Sequence, residues 1–164
     1  KVNTYPLKLN LCINCQGAQL SFFLNKEKMF RKNYYLSGDN PQLINHFKKI
    51  ASTIKKNFPF NKKNKRNILD IGSNDGTFLK NFKDNWNILG IDPSKTAHKI
   101  STANNIKNIN SYFNYENAKK INREFDVIHG AGVFFHLEEI YSCLKGVKIL
   151  LKKKRSFYNS MYLF

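Results

Sequence analysis

No stretch of this sequence is long and apolar enough to cross a membrane, so a transmembrane helix is excluded. No charged-then-apolar leader opens the chain, and a cytoplasmic protein is expected. Cysteine is scarce: Cys12, Cys15 and Cys143 are the whole set. Cys12 and Cys15 form a Cys-x-x-Cys, a spacing that in such a chain points to metal or redox chemistry ahead of a structural disulfide. Acid is scarce too, with 11 Asp and Glu against 28 Lys and Arg, a formal net charge of +17. A field of that size attracts anions, nucleic acid among them. Apart from 62–66 and 152–155, however, the lysines are scattered, and they read first as solvated faces. A nucleic-acid partner is therefore not expected. An acidic nucleotide substrate would feel the same attraction.

What is present fits one domain, or one domain with a small appendage: 164 residues, 41% of them hydrophobic. The informative stretch is Ile68 to Gly76. Residues 67–71 read as a short buried strand, 72–76 as a tight glycine turn, and 76–84 as a helix. Such a turn brings backbone N–H groups close to a ligand. Asn74 sits where many such loops carry a glycine, and Asn is among the side chains that best tolerate the left-handed conformation. A second apolar run, 87–91, ends in Asp92, about 20 residues past Gly72. An acid there accepts hydrogen bonds from ribose hydroxyls in doubly wound folds. A dinucleotide loop wants a glycine at position 74, to make room for pyrophosphate. Here a side chain stands there, and Asp75 adds a negative charge suited to a cationic, methionine-type ligand. The loop resembles the first motif of class I S-adenosylmethionine methyltransferases. Asp70, Gly72, Ser73, Asn74, Asp75, Gly76, Asp92 and Pro93 are the candidate cofactor contacts.

Around this loop, strands are expected at 67–71, 87–91, 107–110 and 125–130, with helices at 76–84, 94–104, 114–122 and 137–151. That alternation predicts an α/β fold: a Rossmann-like doubly wound parallel sheet, with ligands at the strand ends. Upstream, 41–56 reads as a helix capped by Asp39 or Asn40, with Leu43, Phe47, Ile50 and Ile54 on one stripe. Before it, 7–11 and 18–23 read as strands of a small β module around Cys12 and Cys15. Cys15 is followed by the turn Gln16-Gly17, as in a zinc knuckle. A structural zinc needs four ligands. The expected organisation is therefore 1–38 partial zinc module, 39–66 connecting helix and linker, 67–152 cofactor-binding core, and 153–164 tail. His136, just after the fourth strand, falls at the mouth of the site, as an acid/base, a substrate contact, or a packing residue.

Taken together, these residues resemble the nucleotide-sugar C-methyltransferases. The resemblance runs from Tyr5 to about Lys152. It covers Tyr5-Pro6-Leu7-x-Leu9-x-x-Cys12-x-x-Cys15, Tyr34-Tyr35-Leu36-Ser37-Gly38, His46, Ile71 to Thr77, Gly90 to Ser94, and Val133-Phe134-x-His136. It implies S-adenosylmethionine as cofactor, a nucleotide-linked ketosugar as substrate, and a structural zinc of which Cys12 and Cys15 are the second ligand pair. It places Tyr35 and His136 near the reacting sugar, as candidate catalytic residues. Gly132 stands where an asparagine is usual. A C-terminal domain carrying the family's catalytic base has no counterpart here, so cofactor binding with weak or no turnover is expected. After Lys152 the family adds a fifth strand; this chain has an aromatic tail, which either covers the open sheet edge or leaves it bare.

Overall fold

A computed structural model describes residues 4–31, 35–59 and 64–160. Tyr34, Lys62, Lys63 and the last four tail residues lie outside them. In chain order the elements are β1 (Leu9–Leu11), β2 (Ala18–Leu20), α1 (Lys26–Phe30), α2 (Pro41–Asn57), β3 (Arg66–Ile71), β4 (Trp86–Ile91), α3 (Lys95–Ala103), β5 (Asn108–Ile109), α4 (Tyr115–Lys119), β6 (Phe125–Ala131), α5 (Ile140–Leu150) and β7 (Leu151–Ser160).

The strands β3 to β7 form one parallel sheet in the order β5-β4-β3-β6-β7. From β3 the chain winds outward through β4 and β5, then returns to β3's other side with β6. The reversal of strand order between β3 and β6 opens a crevice at their C-terminal ends. Alternate residues of each strand serve opposite faces. Ile68 and Val127 pack with Leu43, Phe47, Ala51 and Ile54 of α2. Leu69, Ile71 and Ile128 pack with Cys143, Val147 and Leu150 of α5. The doubly wound architecture expected from the alternation is thus present.

Helix α2 begins where expected. Asn40 caps it, its Oδ1 accepting from Gln42 N (3.0 Å) and Leu43 N (3.2 Å). Its role differs from that of a connector: its apolar stripe, shifted from Ile50 toward Ala51, is one wall of the core.

The expected 76–84 helix is replaced by a short 3-10 turn, Leu79–Phe82. Asn81 explains part of this. Its Nδ2 donates to the carbonyls of Thr77 (3.3 Å) and Phe78 (2.9 Å), competing with helical bonding. The bend is therefore not followed by an α-helix whose dipole could add to its N–H groups.

The tail is a strand. β7 runs beside β6, pairing Val127 with Ser156 and Ala131 with Ser160, with an irregularity opposite Phe125–Val127. Asp126 lies at that irregularity. It accepts from Asn67 N (2.9 Å) and Lys152 Nζ (2.9 Å), with Arg155 Nε at 3.4 Å and Arg66 at 3.5 Å. Burial alone would raise its carboxyl. The Asn67 N–H and the Lys152 and Arg66 cations outweigh this and hold it below the ordinary value.

At the other end, β1 and β2 make an antiparallel hairpin pairing Leu9 with Leu20 and Leu11 with Ala18. All six of its residues are exposed.

Candidate active site

The glycine bend closes over the end of β3. Gly72 has φ +70°, and a Cβ there would meet Val133 Cγ2 at 2.2 Å, so the position admits only glycine without rearrangement. Asn74 is left-handed, with φ 48°, as its residue type allows. The bend is hooked to the end of β4, since Gly72 N donates to Ile91 O at 2.8 Å. Asp92 completes the hook. Its two oxygens accept from Asn74 N (2.9 Å) and Ser94 N (2.8 Å). Burial pushes its carboxyl up, and those two N–H groups pull part of the way back.

Above this rim lies a cavity of about 430 Å³. Asp70, Gly72, Ser73, Asn74, Asp92 and Pro93 line it, and Tyr35 and His136 line it as well. Eight of the expected site residues therefore share one space.

Asp75 and Gly76 do not. Asp75 is buried with both oxygens occupied, accepting from Gly38 N (2.9 Å) and Thr77 N (3.0 Å). Its charge faces the segment before α2, which corrects the expectation that it meets a cationic ligand. Asn74 shares that duty: its Oδ1 accepts from Ser37 N and its Nδ2 donates to Tyr35 O, both at 2.9 Å. Gly76, φ +81°, packs against Ile106.

His136 sits in a 3-10 turn, Phe134–His136, with its ring 5.7 Å from Phe30. Burial lowers its proton affinity. Burial, and next the Asp75 charge, raise Tyr35. Gly132 has φ +64°, a conformation that glycine and asparagine both suit, which accounts physically for the exchange of one for the other.

Several lining residues carry no signal of the site in the sequence. Lys26 of α1 pairs with Glu139, and Tyr112 Oη donates to Lys26 O at 2.9 Å. Burial, with Glu27 next, pushes the Tyr112 phenol up to about 12. Cys143 also lines the cavity, its Sγ donating to Phe113 O at 2.9 Å, and burial pushes its thiol up to about 11. Contacts across 86 or 113 residues leave no mark in local pattern.

The zinc expectation fares differently. Cys12 and Cys15 lie exposed on the turn between β1 and β2. Backbone N–H groups of Cys15 and Asn14 lower the Cys12 thiol, as a knuckle turn should. Among the described residues, however, no group of three or more Cys, His, Asp or Glu could hold a metal. Two thiols do not fit a four-ligand structural zinc. Cys143, buried beside the cavity, does not join them.

Comparison with known proteins agrees with this geometry. The chain belongs to the methyltransferase domain family, which matches residues 42–163. The match starts inside α2 and runs through β7, so both elements fall within the family's extent rather than beside it. C-methyltransferase NovU of Streptomyces niveus is 22% identical over 158 residues, covering 94% of this chain and 37% of its own length. Release factor glutamine methyltransferase of Buchnera aphidicola is 35% identical over 107 residues, covering 60% and 36%. This chain thus spans little more than a third of either relative. Among solved structures, the plantazolicin methyltransferase BpumL in complex with SAH superposes with a TM-score of 0.56 at 25% identity, over 70% of this chain and 45% of that one. Magnesium protoporphyrin IX methyltransferase of Synechocystis PCC 6803, with bound SAM, shares the fold at TM-score 0.53 and 10% identity, over 66% and 54%.

Proposed function

We propose that this chain is the S-adenosylmethionine-binding part of a small-molecule C-methyltransferase whose substrate is a nucleotide-linked ketosugar. One observation carries the cofactor half: Asp92 and the glycine bend meet at one rim, bonded at 2.9 Å, beside the cavity. The C-methyl half is supported by the relative with the wider match, a C-methyltransferase, and the ketosugar is what the resemblance in the sequence implies. NovU aligns with 94% of the chain, the cysteine turn included, and the release factor enzyme with 60%.

In this proposal Asp92 takes the ribose hydroxyls on the lone pairs that Asn74 and Ser94 leave open. Gly72 and Ser73 admit the methionine part close to the backbone. S-adenosylmethionine supplies an electrophilic methyl group on a sulfonium. A carbon nucleophile would take that methyl group in line, its C–CH3 bond forming as the S–CH3 bond breaks and leaves its pair on sulfur. The chain's contribution is then orientation and exclusion of water. His136, whose proton affinity partial burial lowers, can accept a proton or a hydrogen bond from the sugar. Tyr35, whose phenol burial and then the Asp75 charge push up, can donate one. The zinc proposal extends only to Cys12 and Cys15 as half of a site. The basic field is not read as an RNA surface, because its lysines are scattered along the chain and the Lys152–Arg155 cluster is partly engaged at Asp126.

Calorimetry with S-adenosylhomocysteine tests the first half, and saturable one-to-one binding is expected. The second half is tested by calorimetry with a nucleotide ketosugar in the presence of S-adenosylhomocysteine, and saturable binding is expected. Tight binding of RNA with a steep salt dependence, and none of S-adenosylhomocysteine, would overturn the proposal.

A further inference from the structure

His129 is the least accessible polar side chain of the sheet, with no exposed surface. The parallel register of β3 and β6 sets it opposite Asp70, and both point to the α2 face. Its Nδ1 lies 2.7 Å from Asp70 Oδ1. The imidazole stacks on Phe78 at 3.9 Å between centroids and meets the edge of Phe47 at 6.2 Å. A buried polar pair among phenyl rings is a poor way to stabilise a core; apolar residues of similar volume commonly do as well or better. The pair is also asymmetric with respect to the cavity. Asp70 lines it and His129 lies behind. Asp70 Oδ1 is held by His129, while Oδ2 accepts no hydrogen bond from the described residues. Burial pushes the Asp70 carboxyl up, and His129 pulls it back toward the charged form. Two further titratable groups stand nearby: His46 on α2, lowered by burial and next by His129, and Asp92, which feels the Asp70 charge.

Position gives the pair a ligand group. Asp92 ends β4, on one side of β3, and His129 belongs to β6, on the other. A ligand whose ribose sits at Asp92 must run across the tip of β3 to fill the cavity, and its far end then passes Asp70. In S-adenosylmethionine that end is the amino acid part, with its ammonium.

We propose that His129 is a positioning residue: its ring N–H fixes Asp70 as an oriented carboxylate that receives the ammonium of the cofactor's amino acid part. The inference rests on the cofactor proposal above.

Two ligands separate it from simple packing. S-adenosylhomocysteine carries the ammonium; 5′-methylthioadenosine has the same adenosine and thioether without it. His129→Phe preserves the ring and its stacking but removes the N–H. It should weaken S-adenosylhomocysteine on the order of tenfold and leave methylthioadenosine within about twofold. His129→Asn, which restores an N–H near the Nδ1 position, should recover most of that loss. In the wild-type chain, the His129 Nδ1 resonance should shift on addition of S-adenosylhomocysteine and stay put with methylthioadenosine; this holds the test open should H129F not fold. Equal losses for both ligands in H129F, or a resonance indifferent to both, overturn the inference alone. Failure of the wild type to bind either ligand overturns the cofactor proposal and the inference with it.

Discussion

Leu9 and Leu11 of the hairpin are each 67% exposed, whereas Ile68 and Leu69 of β3 have no exposed surface. Both pairs belong to short apolar strands. The difference lies in what covers them. β3 is flanked by β4 and β6 and covered on both faces, by α2 on one and the α5 layer on the other. The hairpin has one partner strand and no layer, and two strands alone are marginal in water. Burial is worth about 1.5–3 kcal/mol for each such side chain, so stability accumulates in the sheet. The cavity opens at the end of that same sheet, walled by its loops together with α1 and α2, which puts the site on the well-buried region. The hairpin, which carries the cysteines, contributes little to either.

If this contrast is right, the largest single effect should come from the bend. Gly72→Ala places a Cβ 2.2 Å from Val133 Cγ2 at a φ of +70°. A loss of roughly 3 kcal/mol is expected, from overpacking and left-handed strain together. Binding of S-adenosylhomocysteine should vanish with it. Denaturant melts and calorimetry check both, and a variant that melts and binds as the wild type would undo the account of the bend.

Next comes Asp126, the pin that holds β7 against β6. Asp126→Asn removes the charge shared by Lys152, Arg155 and Arg66 and should cost about 2 kcal/mol, kept modest because those cations stay partly in water. The sign of the pH effect follows from the lowered carboxyl. Stability from this cluster is fully present above the ordinary aspartate value of about 4 and is lost as pH falls through the lower folded value. Melting curves between pH 6 and about 2 should show a loss that D126N lacks.

How much of this could be read beforehand depended on how local each cause is. The apolar runs of β3, β4 and β6, the Asn40 cap and the left-handed Asn74 depend on near neighbours, and all were legible. Asp75 was not. Its residue type suggested charge for a ligand, but its partner, Gly38 N, lies 37 positions away. The Asp70–His129 pair needs the β3–β6 register, which no single strand reveals. The 76–84 helix failed for a local reason that was present in the chain: Asn81 bonds back to Thr77 and Phe78. Whether the aromatic tail covers the sheet edge was open in the sequence, because the pairing with β6 and the cations at Asp126 that hold it there are long-range.

Asp92→Asn is a gentler perturbation of the sheet region. The amide keeps the size and can still accept from Asn74 N or Ser94 N, so the fold should hold. Ribose hydroxyls lose a charged acceptor, and affinity for S-adenosylhomocysteine should fall roughly tenfold. Unchanged affinity would detach Asp92 from the ribose while leaving the bend intact.

The smallest effect is expected in the hairpin, and it is the sharpest test of the contrast. Leu9→Ser and Cys12→Ser each replace an exposed side chain that packs against no core residue. Surface changes of this kind stay within about 0.5 kcal/mol. Neither should move the melting of the sheet, nor the affinity for S-adenosylhomocysteine, because no lining residue of the cavity lies before Lys26. A large destabilisation from either would mean that the hairpin's apolar face is covered in solution, and the division between a bearing sheet and an idle hairpin would fail. Zinc sharpens the same comparison. Two thiols without further ligands should bind it weakly, and its removal should leave the sheet's melting where it was.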